Sequence, residues 1–372
     1  MVDLIKEFVN FLSSPTVSFT LLTVSSPFLF PPTDWFEKYH YKFKLNYLWK
    51  KEGGILLLVL VTLFLIAGYT DKYAVKILTK ADNVPIVLMF YLVPGTLWLS
   101  MYQAYKNDER LEKGEAPDEY NDPKDKILVW PDLVYTELIC LILFTVFLTI
   151  WSVYLPAPLE EPANPAATPN PSKAPWYFLG LQEMLVYFDP WIAGIMFPLL
   201  IIAGLCAIPY VDTNKRGEGY YSFKERRISI FIFMYGWLAL WFYLIIVGTF
   251  FRGPNWNFYG PFEYWDSHKI EALSSINLSE YLWVKAWNQG LPSNILAREF
   301  LGIILVILYF MVPPALLAKG PLKSFYEELG PARYSVTIFF ALAMLALPIK
   351  MYLRWTINLQ YIVSIPEWFF NI

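Results

Sequence analysis

Seven long apolar stretches alternate with shorter polar ones along the chain: residues 53–69, 83–105, 133–155, 191–211, 228–251, 300–318 and 334–353. A helix needs about 20 mainly apolar residues to cross the hydrocarbon core of a bilayer, so each stretch predicts a membrane-spanning helix. The last is the shortest in uncharged residues and has to extend Lys350 or Arg354 to an interface. Residues 8–33 form a weaker eighth stretch. It holds Pro15, Pro27, Pro31 and Pro32 among many Ser and Thr, and predicts a surface-lying or re-entrant segment. Small residues let membrane helices approach closely, which marks Gly194, Ala203, Gly204, Gly236 and Gly248 as crossing points.

Composition sharpens this pattern. Of 372 residues, 16% are charged and 56% hydrophobic, where soluble domains carry about 25% charged residues. The expected fold class is therefore an all-α integral membrane protein of about seven transmembrane helices. A net charge of −3 argues against a nucleic-acid partner. The first residues bring an acid at Asp3 and no basic run, so they do not read as a cleavable leader. Nineteen of the 29 Lys and Arg fall on the side shared by the N-terminus, and positive residues favour the cytoplasmic face. The N-terminus is expected inside and the C-terminus outside, in a bacterial cytoplasmic membrane. Cys140 and Cys206 lie within apolar stretches and read as small buried hydrophobes.

Composition shifts divide the chain into residues 1–127, with two spans; 128–251, with three; and 252–372, with an aromatic loop and two more. Between the third and fourth spans, residues 156–190 carry eight prolines. Proline lowers the entropy cost of ordering, so this loop predicts an ordered lid on the membrane surface. Its second half, Pro175-Trp176-Tyr177-Phe178 onward, suits a short interfacial helix starting at a proline. Helical spacing puts Trp176, Gly180, Glu183 and Tyr187 on one face, with Phe178, Leu181, Leu185 and Phe188 away from it. Periodicity alone fits an aromatic-belt helix with a solvated Glu better than a reactive site.

Three motifs in order change that balance: Pro131-Asp132-Leu133-Val134-Tyr135, then Glu161-Pro162-Ala163-Asn164-Pro165-Ala166-Ala167-Thr168-Pro169, then Pro175-Trp176-Tyr177. Together with Ile208-Pro209-Tyr210 they resemble the C-terminal domain of cytochrome b, and closely resemble the separate subunit IV of b–f-type complexes, over residues 128–251. The resemblance implies a quinol-oxidation site on the lid side of the membrane. One electron would pass to a Rieske iron–sulfur cluster, the other to a haem b, with protons released on that side. The implied quinol-binding residues are Pro175, Trp176, Tyr177, Glu183, Tyr135 and Tyr187. The sequence departs from the family motif Pro-Glu-Trp-Tyr at its second position, where Pro175 stands in place of Glu. Glu183, two turns on, is the candidate proton acceptor, with Tyr177 as its catalytic partner.

The chain holds two histidines, His40 and His268, outside the confident spans, and no Cys-x-x-Cys-His. Bis-histidine haem b needs paired His on facing helices, so no cofactor is expected to be ligated here. The resemblance then implies partners: a haem-bearing cytochrome b N-terminal-type subunit, a Rieske iron–sulfur protein, a c-type cytochrome and membrane lipid, with quinol (menaquinol among the options) as substrate and a dimeric complex as one arrangement. Two other readings stay open: a non-catalytic membrane anchor of a respiratory complex and, more distantly, a transporter. The latter commonly shows symmetric halves and midplane charges.

Overall fold

In hydrocarbon each backbone N–H must find an acceptor within its own segment, and the seven apolar stretches meet that demand as helices. In the computed structural model they run Lys51–Thr70, Val84–Glu112, Val129–Tyr154, Ile192–Val211, Lys224–Phe251, Ile295–Lys319 and Lys323–Ile357, here the first to seventh spans. The structure describes every residue except 1, 121–125, 158, 160–161, 214–220 and 272–273. Pro158 and Glu161 of the loop and the basic Lys215 and Arg216 thus lie outside the described residues.

The spans differ sharply in what surrounds them. In its most apolar window the fifth is 44% buried and the seventh 39%, whereas the fourth and sixth are 6% and the third 0%. The fifth and seventh form the centre of the bundle, and the third presents apolar side chains on every face. Cys140 and Cys206 sit on the third and fourth spans and are exposed, not buried as expected, because those helices turn most of their surface to lipid.

The weak eighth stretch becomes two helices, Val2–Ser13 and Pro15–Leu29, meeting at 68°. Pro15 lacks the N–H that would continue the first helix. Its second arm is not confined to the surface. Phe19 is fully buried against the rings of Tyr243, Tyr352 and Trp355, at 5.5, 6.0 and 5.9 Å. Ser18 and Tyr243 share a hydrogen bond of 2.7 Å. Between helices already in lipid, such close packing and hydrogen bonding hold segments together in place of a hydrophobic drive. Phe19 joins Tyr187, Phe188, Tyr235, Leu244 and Met351 in one core cluster.

Some crossing points behave as expected. A Cβ on Gly248 would stand 3.1 Å from the carbonyl oxygen of Leu179, and one on Gly236 3.0 Å from Met344 Sδ. Gly194 has nothing within 4 Å and is not a crossing point, since it faces outward. The seventh span breaks at Gly330, whose φ of +74° suits a residue without Cβ, just before Pro331. Lys350 does not extend to an interface. It is 1% exposed and donates to the carbonyl oxygen of Gln360, because the chain after the seventh span folds back over the helix end. That return pairs Ser364–Ile365 with Phe370–Asn371 as a small antiparallel hairpin and docks on the sixth span, where buried Glu299 accepts the Ser364 amide at 3.0 Å.

Candidate functional site

The lid is ordered by polar ties, not by regular structure. Trp176–Phe178 forms a 3-10 turn and Leu179–Met184 a short α-helix. Gln182 reaches back along the loop, accepting from the Ala174 amide and donating to the Ser172 carbonyl, both at 2.8 Å. Asn170 bonds Asn255 of the following outer loop twice: its amide donates to Asn255 Oδ1 at 2.8 Å, and its Oδ1 accepts the Asn255 backbone N–H at 2.6 Å. Lys173 donates to the Thr249 carbonyl at 2.9 Å. The short helix lies against the fifth span through two glycines. A Cβ on Gly180 would meet Ile245 at 3.3 Å, and Gly248 meets Leu179 from the other side.

The helical face expected for the lid is only half observed. The helix ends at Met184, and Leu179, Gly180, Glu183, Met184, Tyr187 and Phe188 are buried. Phe188, expected on the outer face, packs edge-on against Phe197 at 5.0 Å, because the turn after Met184 rotates it into the core. Trp176 does not join that core and packs instead against Leu65, Leu78, Ile86, Val87 and Phe250.

Glu183 is fully buried and bound in a bidentate pair. Arg252 Nε donates to Oε2 at 2.9 Å and Nη2 to Oε1 at 2.6 Å, while Nη1 donates to the Trp256 carbonyl at 3.0 Å. Two parallel charge-assisted bonds are the strongest way to hold a carboxylate. Burial alone would pull the Arg252 pKa down, but Glu183 outweighs it and holds the guanidinium above its usual range. Burial also raises the Tyr187 phenol.

In front of this pair lies a cavity of about 750 Å³. Its walls come from three parts of the chain: the segment between the first and second spans with the start of the second (Tyr73, Lys76, Lys80, Asp82, Asn83, Ile86), the lid (Pro171, Lys173, Pro175, Trp176, Leu179) and the outer end of the fifth span with its loop (Thr249, Glu263, Tyr264, Trp265). The size falls within the range of small-molecule sites. Among the described residues, Thr249 Oγ1 and Trp265 Nε1 are buried without a hydrogen-bond partner. Lys173 Nζ lies 5.0 Å from the centre of the Trp265 ring.

The sequence-expected residues therefore separate. Pro175 and Trp176 line the cavity, whereas Glu183 and Tyr187 lie in the core behind it. Tyr177 is 49% exposed on the lid's outer edge, its ring 4.7 Å from Phe178. Tyr135 is 57% exposed on the third span, which buries no residue, so the chain alone does not bring it to the cluster. Sequence reasoning missed Arg252, Lys173, Gln182, Thr249 and Trp265. Two signals were available: Arg252 is the first charge after the fifth span, and Lys173 is the single Lys, Arg, Asp or Glu between Glu161 and Glu183. The two histidines do not fit as an axial haem pair. Both ring nitrogens of buried His40 are engaged, with Phe28 O at 2.7 Å and the Tyr105 hydroxyl at 2.9 Å, and His268 is exposed in the outer loop.

No solved structure matches the chain. A family model described as cytochrome b (C-terminal)/b6/petD matches residues 162–259, taking in the lid, the fourth and fifth spans and Arg252 but not the third span. That family is part of cytochrome bc- and b6f-type oxidoreductase complexes, and through residues 162–259 this multi-pass membrane chain carries a cytochrome b C-terminal/subunit IV-like domain.

Proposed function

We propose that the chain is the haem-free membrane subunit of a bc-type quinol oxidoreductase and that quinol is oxidised in the cavity behind Pro175 and Trp176. The observation that carries this reading is the coincidence of the family segment with that cavity. Residues 162–259 supply its lid wall and Thr249. Trp176 and Trp265 line it and offer ring surface to a quinol head. Tyr177 lies at the exposed edge of the lid and is read as flanking the path of a lipid-borne substrate. Glu183 and Arg252 fix the wall from behind, and Glu183 carries the proton-relay role only if its pair with Arg252 opens. The two electrons leave for an iron–sulfur protein and a haem-bearing cytochrome b subunit. The membrane is read as a bacterial cytoplasmic membrane, with the lid outside.

The test is purification with native partners in mild detergent, redox difference spectroscopy, and quinol-driven reduction of the b haem. Trp176→Ala removes an aromatic contact worth roughly 0.5–1.5 kcal/mol, so KM for quinol rises about two- to tenfold with assembly intact. One observation favours a second reading, that of a non-catalytic anchor: Pro175 stands where the family motif has its Glu. A fully assembled, haem-containing complex that does not oxidise quinol selects that reading.

A further inference from the structure

We infer that Lys173 is the proton acceptor and quinol hydroxyl ligand in this cavity, taking the place of the carboxylate that Pro175 has displaced; the inference rests on the quinol-site reading above. Four observations converge on it. The family position for the carboxylate holds a proline, which carries no proton-accepting group. Glu183, the nearest carboxylate along the lid, is locked to Arg252 by two hydrogen bonds and does not line the cavity. Lys173 does line it, anchored to the Thr249 carbonyl at 2.9 Å. Thr249 and Trp265 line the same wall, and behind its surface Thr249 Oγ1 and Trp265 Nε1 are buried with no partner among the described residues. Leaving such groups unpaired costs about 1–3 kcal/mol each.

The electrostatics suit the task. Burial is the main influence on the ammonium, and nearby Lys80 adds to it. Together they pull the Lys173 pKa down to about 7, against weaker support from Asp82 and Glu183, while Arg252 pushes the same way as burial. Asp82 is already engaged with Lys80 at 2.8 Å, and Glu183 with Arg252. From the remaining walls Lys76 and Glu263 face the cavity, and Glu263 is shared with Lys269 at 3.5 Å. Among the described residues no carboxylate lies within ion-pair distance of Lys173, so near neutral pH its amine is divided between charged and neutral forms. A general base works best with a pKa near the operating pH.

The balance is simple. A quinol O–H bond breaks, its proton forms an N–H bond on neutral Nζ, and one electron leaves to a one-electron acceptor, an iron–sulfur centre in a partner subunit. The second electron goes to a second one-electron acceptor, a partner haem. The second proton goes to water at the cavity mouth, and Nζ later releases the first to the same side. One quinol becomes one quinone, with two protons released and two acceptors reduced.

The experiment uses the intact complex with Lys173→Met and Lys173→Arg, a decyl-tailed quinol as substrate and the matching quinone as binding probe, followed by tryptophan quenching. In the native complex kcat falls on the acid side with a midpoint near pH 7 as the amine becomes charged. Lys173→Met lowers kcat about 10²- to 10⁴-fold, the usual worth of a positioned base, and abolishes that acid limb. Lys173→Arg keeps the bond to the Thr249 carbonyl and the fold, binds the quinone, and is equally slow. A Lys173→Arg complex that assembles and turns over with native kcat and an unchanged pH profile overturns the assignment while leaving the quinol site standing. A native complex with no quinol oxidation overturns both.

Discussion

Arg252→Met tests the arrangement behind the cavity most directly. The side chain of Glu183 is 1% exposed and that of Arg252 11%. Removing the guanidinium strands a buried carboxylate that has no second cation bonded to it among the described residues. Breaking a buried pair by deleting one partner costs about 3–5 kcal/mol, and the slight exposure of Arg252 favours the lower end, about 3 kcal/mol. At 1.4 kcal/mol per factor of ten, the unfolded-to-folded ratio rises about a hundredfold. Denaturation of the detergent-solubilised chain, followed by tryptophan fluorescence against heat or added sodium dodecyl sulfate, reads this shift. The reverse variant is milder. Glu183→Gln leaves Arg252 still bonded to the Trp256 carbonyl, and keeps an acceptor for one of its N–H groups. The double variant recovers most of the loss, because the stranded charge is gone. An Arg252→Met variant within 1 kcal/mol of the native chain would refute the pairing.

Other expectations follow from the same structure. A Cβ at Gly302 would overlap the Ile362 carbonyl oxygen. Gly302→Ala is therefore expected to cost at least 1–3 kcal/mol and to release the C-terminal hairpin to limited proteolysis, whereas a hairpin equally protected in the variant would count against this docking. Lys173 has a native pKa lowered to about 7 from 10.5, so above pH 7 the unfolded chain binds more protons than the native one and stability rises with pH up to about 10.5. Lys173→Met flattens that rise in the same fluorescence assay. At Asp71, burial alone would raise the pKa, but the Lys6 bond at 2.6 Å and the Ala74 and Tyr73 amides outweigh it and leave it below 3.8. The contribution is present above pH 3.8 and lost as pH falls through the lowered native value; Asp71→Asn removes this acid-side slope.

Much of the architecture was legible because its cause is local. An apolar stretch of about 20 residues must be helical in hydrocarbon whatever its neighbours do, so all seven spans stood in the sequence, as did the motifs of the family segment. The depth of each span was not legible. The third and fifth are similarly apolar, yet one buries nothing and the other 44% of its most apolar window, since lipid and a neighbouring helix are equally acceptable surroundings for Leu and Ile. The same ambiguity misplaced Cys140, Cys206 and Gly194.

At the site, residue order alone establishes a short aromatic lid that opens at Pro175. Tertiary structure decided which charges meet. Arg252 lies 69 residues from Glu183 and Thr249 76 from Lys173, separations over which periodicity carries no information. Only the packing of the lid helix on Gly248 brings them together. A charge buried at that contact is costly unless paired, so the fold commits Glu183 to Arg252 and leaves Lys173 facing the cavity.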